Sequence, residues 1–165
     1  MNRTIFRKAT LDDIETIQQI VAITWPVTYG TIVSPEQLNY MIALLYSHDA
    51  MKKQMESLQQ FIMLEENGEA IAFASYSLTD QPNIYKLNKL YALPSQQGKG
   101  TGKNFIHYIL NEITALGATA LQLNVNRFNK AKNFYEHLGF VIIKEEDVDI
   151  GNGFFMNDYV MERKI

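Results

Sequence analysis

The sequence predicts an α/β domain built on one mixed β-sheet with helices on both faces. Two observations carry that expectation. Segments of alternating polarity are interleaved with segments whose apolar residues recur every three to four positions. Their order is strand, two or three helices, three strands, helix, strand, helix, two strands, so hairpins and crossovers mix. With 165 residues, 47% of them hydrophobic, the chain reads as a single domain with enough apolar content for one sizeable core.

Thr4 to Ala9 reads as the first strand. Thr10 is a good N-cap, and Asp13 follows three residues later in the first turn. A helix is expected from Leu11 to Ile23, with Leu11, Ile14, Ile17, Ile20 and Val21 on one face. It is expected to end before Pro26, because the residue ahead of a proline is pushed out of the helical region. Trp25 to Val33 then reads as a loop, in which Trp25 and Tyr29 have two readings, a pocket wall or a cover for the core. Ser34-Pro35-Glu36-Gln37 is a helix start, with Ser34 as N-cap, Pro35 at the first position and Gln37 closing a capping box. Leu38, Met41, Ile42 and Leu45 continue that helix, and Ser47 to Leu58 reads as another. His48 is either functional or, more simply, an exposed helix-boundary residue.

Gln60 to Glu65 and Ala70 to Leu78 read as a hairpin across Glu66-Asn67-Gly68-Glu69. Asp80-Gln81-Pro82-Asn83 is a turn, and Ile84 to Leu93 is the next strand, stopped by Pro94, which cannot donate to a ladder. A glycine-rich loop follows and opens a helix carrying Phe105, Ile106, Ile109, Leu110, Ile113 and Leu116 on one face, capped by Gly117. Leu121, Leu123 and Val125 alternate with polar residues as a half-buried strand. Asn126 to Leu138 reads as a short helix bearing Ala131, Phe134, Tyr135 and Leu138, stopped by Gly139. Phe140 to Val148 and Phe154 to Arg163 form a last strand pair across Gly151-Asn152-Gly153.

The functional signal is concentrated in Leu87 to Gly102, LNKLYALPSQQGKGTG. Gly98, Gly100 and Gly102 leave the backbone free to approach a ligand, and the helix start offers unpaired N–H groups and a positive dipole end. That combination binds phosphate. A Walker A loop fails on residue type, since its first glycine is replaced by Gln97 and the hydroxyl after Lys103 by Asn104. A dinucleotide fingerprint fails because its third glycine is Lys103.

The pattern Gln97-x-x-Gly100-x-Gly102 resembles the pyrophosphate loop of the GCN5-related N-acetyltransferases. Asn129-x-Ala131 followed by Phe134-Tyr135-Glu136-x-Leu138-Gly139-Phe140 is similar to that family's second motif, and the element order matches over essentially the whole chain. The resemblance implies an acyl-CoA N-acyltransferase fold with a mostly antiparallel central sheet, and acetyl-CoA as cofactor with CoA as product. Tyr91, Ala92 and Leu93 would then bond pantetheine and the acetyl carbonyl through their backbone. Gln97, Gly98, Lys99, Gly100, Thr101 and Gly102 would wrap the pyrophosphate with N–H groups. Asn129 would contact the pantetheine arm, and Tyr135 would be catalytic, aiming its hydroxyl at the sulfur. Read from its own spacing with Ala131 and Leu138, Tyr135 has a second reading, as a core residue only.

Gly151-x-Gly153-Phe154-Phe155-Met156-x-x-Asp158-x-Val160-Met161 and the stretch from Thr24 through Tyr29 to Ser34 are similar in placement to bacterial polyamine N-acetyltransferases. The expected acceptor is therefore a small amine or polyamine; a peptide or protein amino group, or a CoA-binding module without catalysis, are the alternatives. Glu145, Glu146, Asp147 and Asp149 would steer a cationic amine, or are ordinary solvated charges. Relatives often carry a glutamate as general base on the strand before the loop, but Lys86 and Asn88 stand there. A water chain or a carboxylate elsewhere is expected to replace it.

The absence of cysteine excludes disulfides, thiolate metal sites and a cysteine nucleophile, and no metal is expected. With 15 basic against 18 acidic residues, nucleic acid is not the expected partner. No segment approaches the roughly 20 apolar residues of a membrane span, and MNRTIFRKAT lacks the apolar run of a signal peptide. A soluble cytoplasmic enzyme is expected, with a homodimer left open.

Overall fold

The structure, a computed structural model, describes residues 3–165. Met1 and Asn2, the start of the stretch read above for an apolar run, lie outside the described residues. Strands β1 (Thr4–Lys8), β2 (Gln60–Glu66), β3 (Glu69–Leu78), β4 (Ile84–Ala92), β5 (Ala120–Asn126), β6 (Val141–Gly151) and β7 (Phe154–Lys164) form one seven-stranded sheet in the order β1-β2-β3-β4-β5-β7-β6. Every neighbouring pair is antiparallel except β4 and β5. That pair is parallel because a helical crossover joins it, as parallel pairing requires. The helices are α1 (Ile14–Tyr29), α2 (Pro35–Tyr46), α3 (His48–Glu56), α4 (Thr101–Ala115) and α5 (Ala131–His137). The sheet is mixed and mostly antiparallel with helices on both faces, as the order of elements implies.

The pleat of β2 sorts the two cores. Ile62 and Leu64 face α4 with Phe105, Ile106 and Ile109, while Phe61 and Met63 face α1 to α3 with Trp25, Met41 and Met51. One charge enters the second core: Lys89 is buried, its Nζ lies over the rings of Tyr46 and Phe61 at 5.7 and 5.6 Å, and burial with repulsion from Lys86 pushes its amine down to about 8.

Four local expectations are corrected. The first helix does not stop before Pro26; after a 3-10 turn over Leu11–Asp13, α1 runs to Tyr29 with Pro26 inside it. Its buried face continues from Ile14, Ile17 and Val21 through Trp25 to Tyr29. An interior proline costs about 3 kcal/mol. Burial of Trp25 and Tyr29 offsets this, at about 1.5–3 kcal/mol for each large side chain. Ser34 caps α2 as expected, accepting from Gln37 N–H at 3.1 Å, but the Gln37 side chain donates to Phe155 O at 2.8 Å and leaves the capping box open. Leu116 is 60% exposed, because α4 ends at Ala115 and the chain turns at Gly117. Asn126 closes β5 rather than opening a helix, and α5 begins at Ala131. His48 is the exposed first residue of α3.

Candidate active site

The parallel strands β4 and β5 are paired from Ile84↔Ala120 to Leu87↔Leu123 and then part. Beyond that point β4 stays with β3 and β5 with β7, so the sheet splays open at its centre. Leu93 N–H donates to Ile71 O at 2.9 Å, and Leu93 O accepts from Gln96 N–H at 2.9 Å. By the alternation of an antiparallel ladder, Tyr91 also turns its backbone toward β3, and Ala92 turns its own toward the splay. Of the three residues expected to offer backbone to the acyl arm, Ala92 is the one so placed.

Past Pro94 the chain makes one 3-10 turn and enters the glycine loop. Gln97 N–H and Lys99 N–H are taken by Pro94 O and Gln96 O, at 3.1 and 3.2 Å. The N–H groups of Gly98, Gly100, Thr101, Gly102 and Lys103 have no partner among the described residues. This narrows the expected cradle: Gln97 and Lys99 contribute turn structure, and the others present donors. Gly98 and Gly100 sit at φ +79° and +75°, which side chains rarely adopt. Gly102 serves packing, since a Cβ there would stand 3.0 Å from the Phe134 ring. The buried Thr101 hydroxyl donates to Gln96 Oε1 at 3.1 Å and ties the loop to its own start. The cleft over the loop has a volume of about 480 Å³, lined by Thr24, Thr28, Ala92, Lys103 and Phe134 as well as the loop itself. A row of unpaired N–H groups at a helix start, with no carboxylate in the lining, suits a pyrophosphate.

Across the splay, Tyr135 is buried on α5 against Phe134 and Phe140, with ring centroids 5.1 and 5.7 Å away. Its hydroxyl has no hydrogen-bond partner among the described residues. Burial, aided by the neighbouring Tyr29 phenol, raises its pKa, so it stays protonated. Asn129 spends its carbonyl on Ala131 N–H at 2.9 Å, in the turn that leads into α5.

A second chamber of about 190 Å³ lies behind α1 and is walled by Trp25, Tyr29, Tyr46, Tyr91 and Met156, with Asp158 among its lining. Both readings of Trp25 and Tyr29 hold, since they cover the core and line this space. The Tyr29 and Tyr91 hydroxyls lie 3.1 Å apart, and burial raises the pKa of both. Three buried polar atoms of the wall lack a partner: Trp25 Nε1, Tyr46 Oη and Asp158 Oδ1. Asp158, on β7, is 6% exposed. Asn124 Nδ2 donates to Asp158 Oδ2 and to Glu146 Oε2, each at 3.2 Å. Desolvation raises the Asp158 pKa against the opposing Asn124 bond and the Lys86 charge.

Asn88 also lines the chamber and donates to Ser77 Oγ at 2.9 Å. The acidic cluster is divided. Glu145 and Asp147 are exposed and drawn to Arg127, at 3.9 and 2.6 Å, while Glu146 turns inward to Asn124. Sequence reasoning quoted Asp158 in a motif without giving it a role, and gave none to Asn124 or Tyr46. The available signal was a carboxylate at position 158, in phase with Met156 and Val160 on the inward side of a strand.

The family model described as an acetyltransferase (GNAT) domain matches residues 32–162. The chain belongs to the GNAT acetyltransferase family. It is accordingly an acetyl-CoA-dependent N-acetyltransferase. A spermidine N(1)-acetyltransferase from Thermoplasma acidophilum is 26% identical over 162 residues, covering 96% of this chain and 95% of that one. The crystal structure of the PaiA N-acetyltransferase from T. acidophilum, in complex with coenzyme A, superposes with a TM-score of 0.82 at 25% identity over 99% of both chains. A GCN5-related N-acetyltransferase from Rhodopseudomonas palustris shares the fold, with a TM-score of 0.82 at 19% identity over 98% of this chain and 95% of that one.

Proposed function

We propose that this GNAT enzyme acetylates a small primary alkylamine or polyamine. The observation that carries the reading is the partnerless Asp158 Oδ1 in a chamber walled by Trp25, Tyr29, Tyr46 and Tyr91. A buried carboxylate is costly unless paired, and aromatic faces attract cations, so an alkylammonium suits both. Glu146, held beside Asp158 through Asn124, would offer a second carboxylate for a longer polyamine. The name of the T. acidophilum relative supports the same class.

In this reading the donors at Gly98, Gly100, Thr101, Gly102 and Lys103 hold the pyrophosphate, and the free amide of Asn129 and the backbone of Ala92 face the acyl arm. Acetyl-CoA supplies an activated acetyl thioester. Tyr135 keeps a proton beside the position of the sulfur. In this reading the amine sits in the chamber, and catalysis is largely positioning.

The test is turnover, read as released CoA, with spermidine, spermine, simple diamines and peptides bearing free N-termini. Spermidine or a diamine is expected to react fastest, with kcat/KM falling as salt rises. Should all polyamines and diamines be inert while peptide N-termini react, the acceptor assignment fails.

A further inference from the structure

We infer that Asp158 is the group that takes the proton from the acceptor ammonium, replacing the carboxylate that β4 lacks at Lys86 and Asn88. The inference rests on the acceptor reading above. Its first support is placement: Asp158 is the carboxylate that lines the acceptor chamber, and its Oδ1 is buried without a hydrogen-bond partner among the described residues. Its second is competition. Asn88, on the strand before the loop, has its amide bound to Ser77 and carries no charge. Glu146 is shared with Asn124, and Glu145 and Asp147 are turned to Arg127.

The charges around Asp158 decide its proton affinity. Burial and Glu146 raise its pKa, while the Asn124 bond, Lys86 and Arg127 lower it. The Tyr29 phenol, across the chamber on α1, stays neutral because burial raises its pKa. A carboxylate whose pKa is raised is a better proton acceptor than one in water. An alkylammonium that enters gives one proton to Asp158 Oδ1 and becomes the free amine. Its lone pair forms the C–N bond as the C–S bond breaks. The second amine proton goes to the departing thiolate, to which the Tyr135 hydroxyl donates a hydrogen bond, and Asp158 returns its proton to solvent. One proton is released per turnover.

Asp158→Asn is nearly isosteric and removes only the charge. With a diamine as acceptor it is expected to lower kcat/KM by about 100-fold or more at pH 7. The variant's residual rate should rise about tenfold per pH unit as free amine accumulates, whereas the wild type reaches a plateau. CoA affinity should not change. Melting temperature should stay level or rise, since a buried unpaired charge is removed. Asn124→Ala is the second variant: losing the bond to Asp158 Oδ2 should move the acid limb of the profile to higher pH. A wild-type rate and plateau in Asp158→Asn would overturn the inference, as would an unmoved limb in Asn124→Ala. So would a loss of activity that alkaline pH does not restore, with a lowered melting temperature. A wild type that binds CoA but acetylates no amine would instead overturn the acceptor reading itself, and this inference with it.

Discussion

Tyr135 shows how one hydroxyl can matter without ionising. An ordinary thiol titrates near 8.5 and an ordinary tyrosine near 10, so proton transfer to thiolate is uphill by about 2 kcal/mol at 1.36 kcal/mol per unit. Burial raises the Tyr135 pKa and widens that gap. In the proposed reaction its hydroxyl would therefore serve as a hydrogen-bond donor to the developing thiolate without losing its proton. Tyr135→Phe keeps the ring contacts with Phe134 and Phe140 and removes the donor. It is expected to lower kcat by about ten- to a hundredfold, at the low end of general-acid effects, with CoA affinity and melting temperature little changed. Equal turnover in single-turnover assays would leave Tyr135 a packing residue. The same residue scale shows what a sequence can carry. Tyr135 was visible through a motif. Asp158 stood in a motif without a role, because its meaning depends on Trp25, Tyr29 and Tyr91, which line the same chamber from other elements.

At the scale of elements, the loop between β4 and α4 combines two demands that few residues meet. Gly98 and Gly100 need a left-handed backbone, and neither would place a Cβ within 4 Å of a neighbour. Substitution there is therefore a conformational change and not a steric one. Gly100→Val is expected to cost about 1–2 kcal/mol of stability from strain, leaving the protein folded. It should weaken CoA binding at least tenfold by turning the N–H donors of the α4 start. Denaturant unfolding measures the first claim and calorimetric titration with CoA the second, each against wild type; unchanged affinity would remove the loop from the cofactor site. This element was legible because a positive φ has a one-residue solution. Helix α1 was misread for the converse reason. A proline rule acts locally, whereas the burial of Trp25 and Tyr29 that carries the helix past Pro26 is a tertiary gain.

At the scale of the whole molecule, the sheet does not stay closed. β4 and β5 part after Leu87 and Leu123; beyond that point Ala92 lines the cleft over the loop, and Asn88, Tyr91, Asn124 and Asn126 line the aromatic chamber. A ligand that bridges the two sides stabilises the native state by mass action. CoA at 100 times its Kd should add about 2.7 kcal/mol. For a chain of this size that raises the melting temperature by roughly 5–10 °C. ATP and NAD should give no comparable shift, since the loop departs from both of their patterns at Gln97, Lys103 and Asn104. Equal protection by either would mean that the loop reads phosphate without reading CoA. The chain alone determined the order of strands and helices, the glycine loop and the family motifs, because periodicity, turn chemistry and a required positive φ are local properties. The splay of β4 from β5, the division of the acidic cluster and the partnerless carboxylate of Asp158 were settled by folding. Each arises from residues far apart in the chain, brought together where burial changes what a charge or an unpaired donor can do.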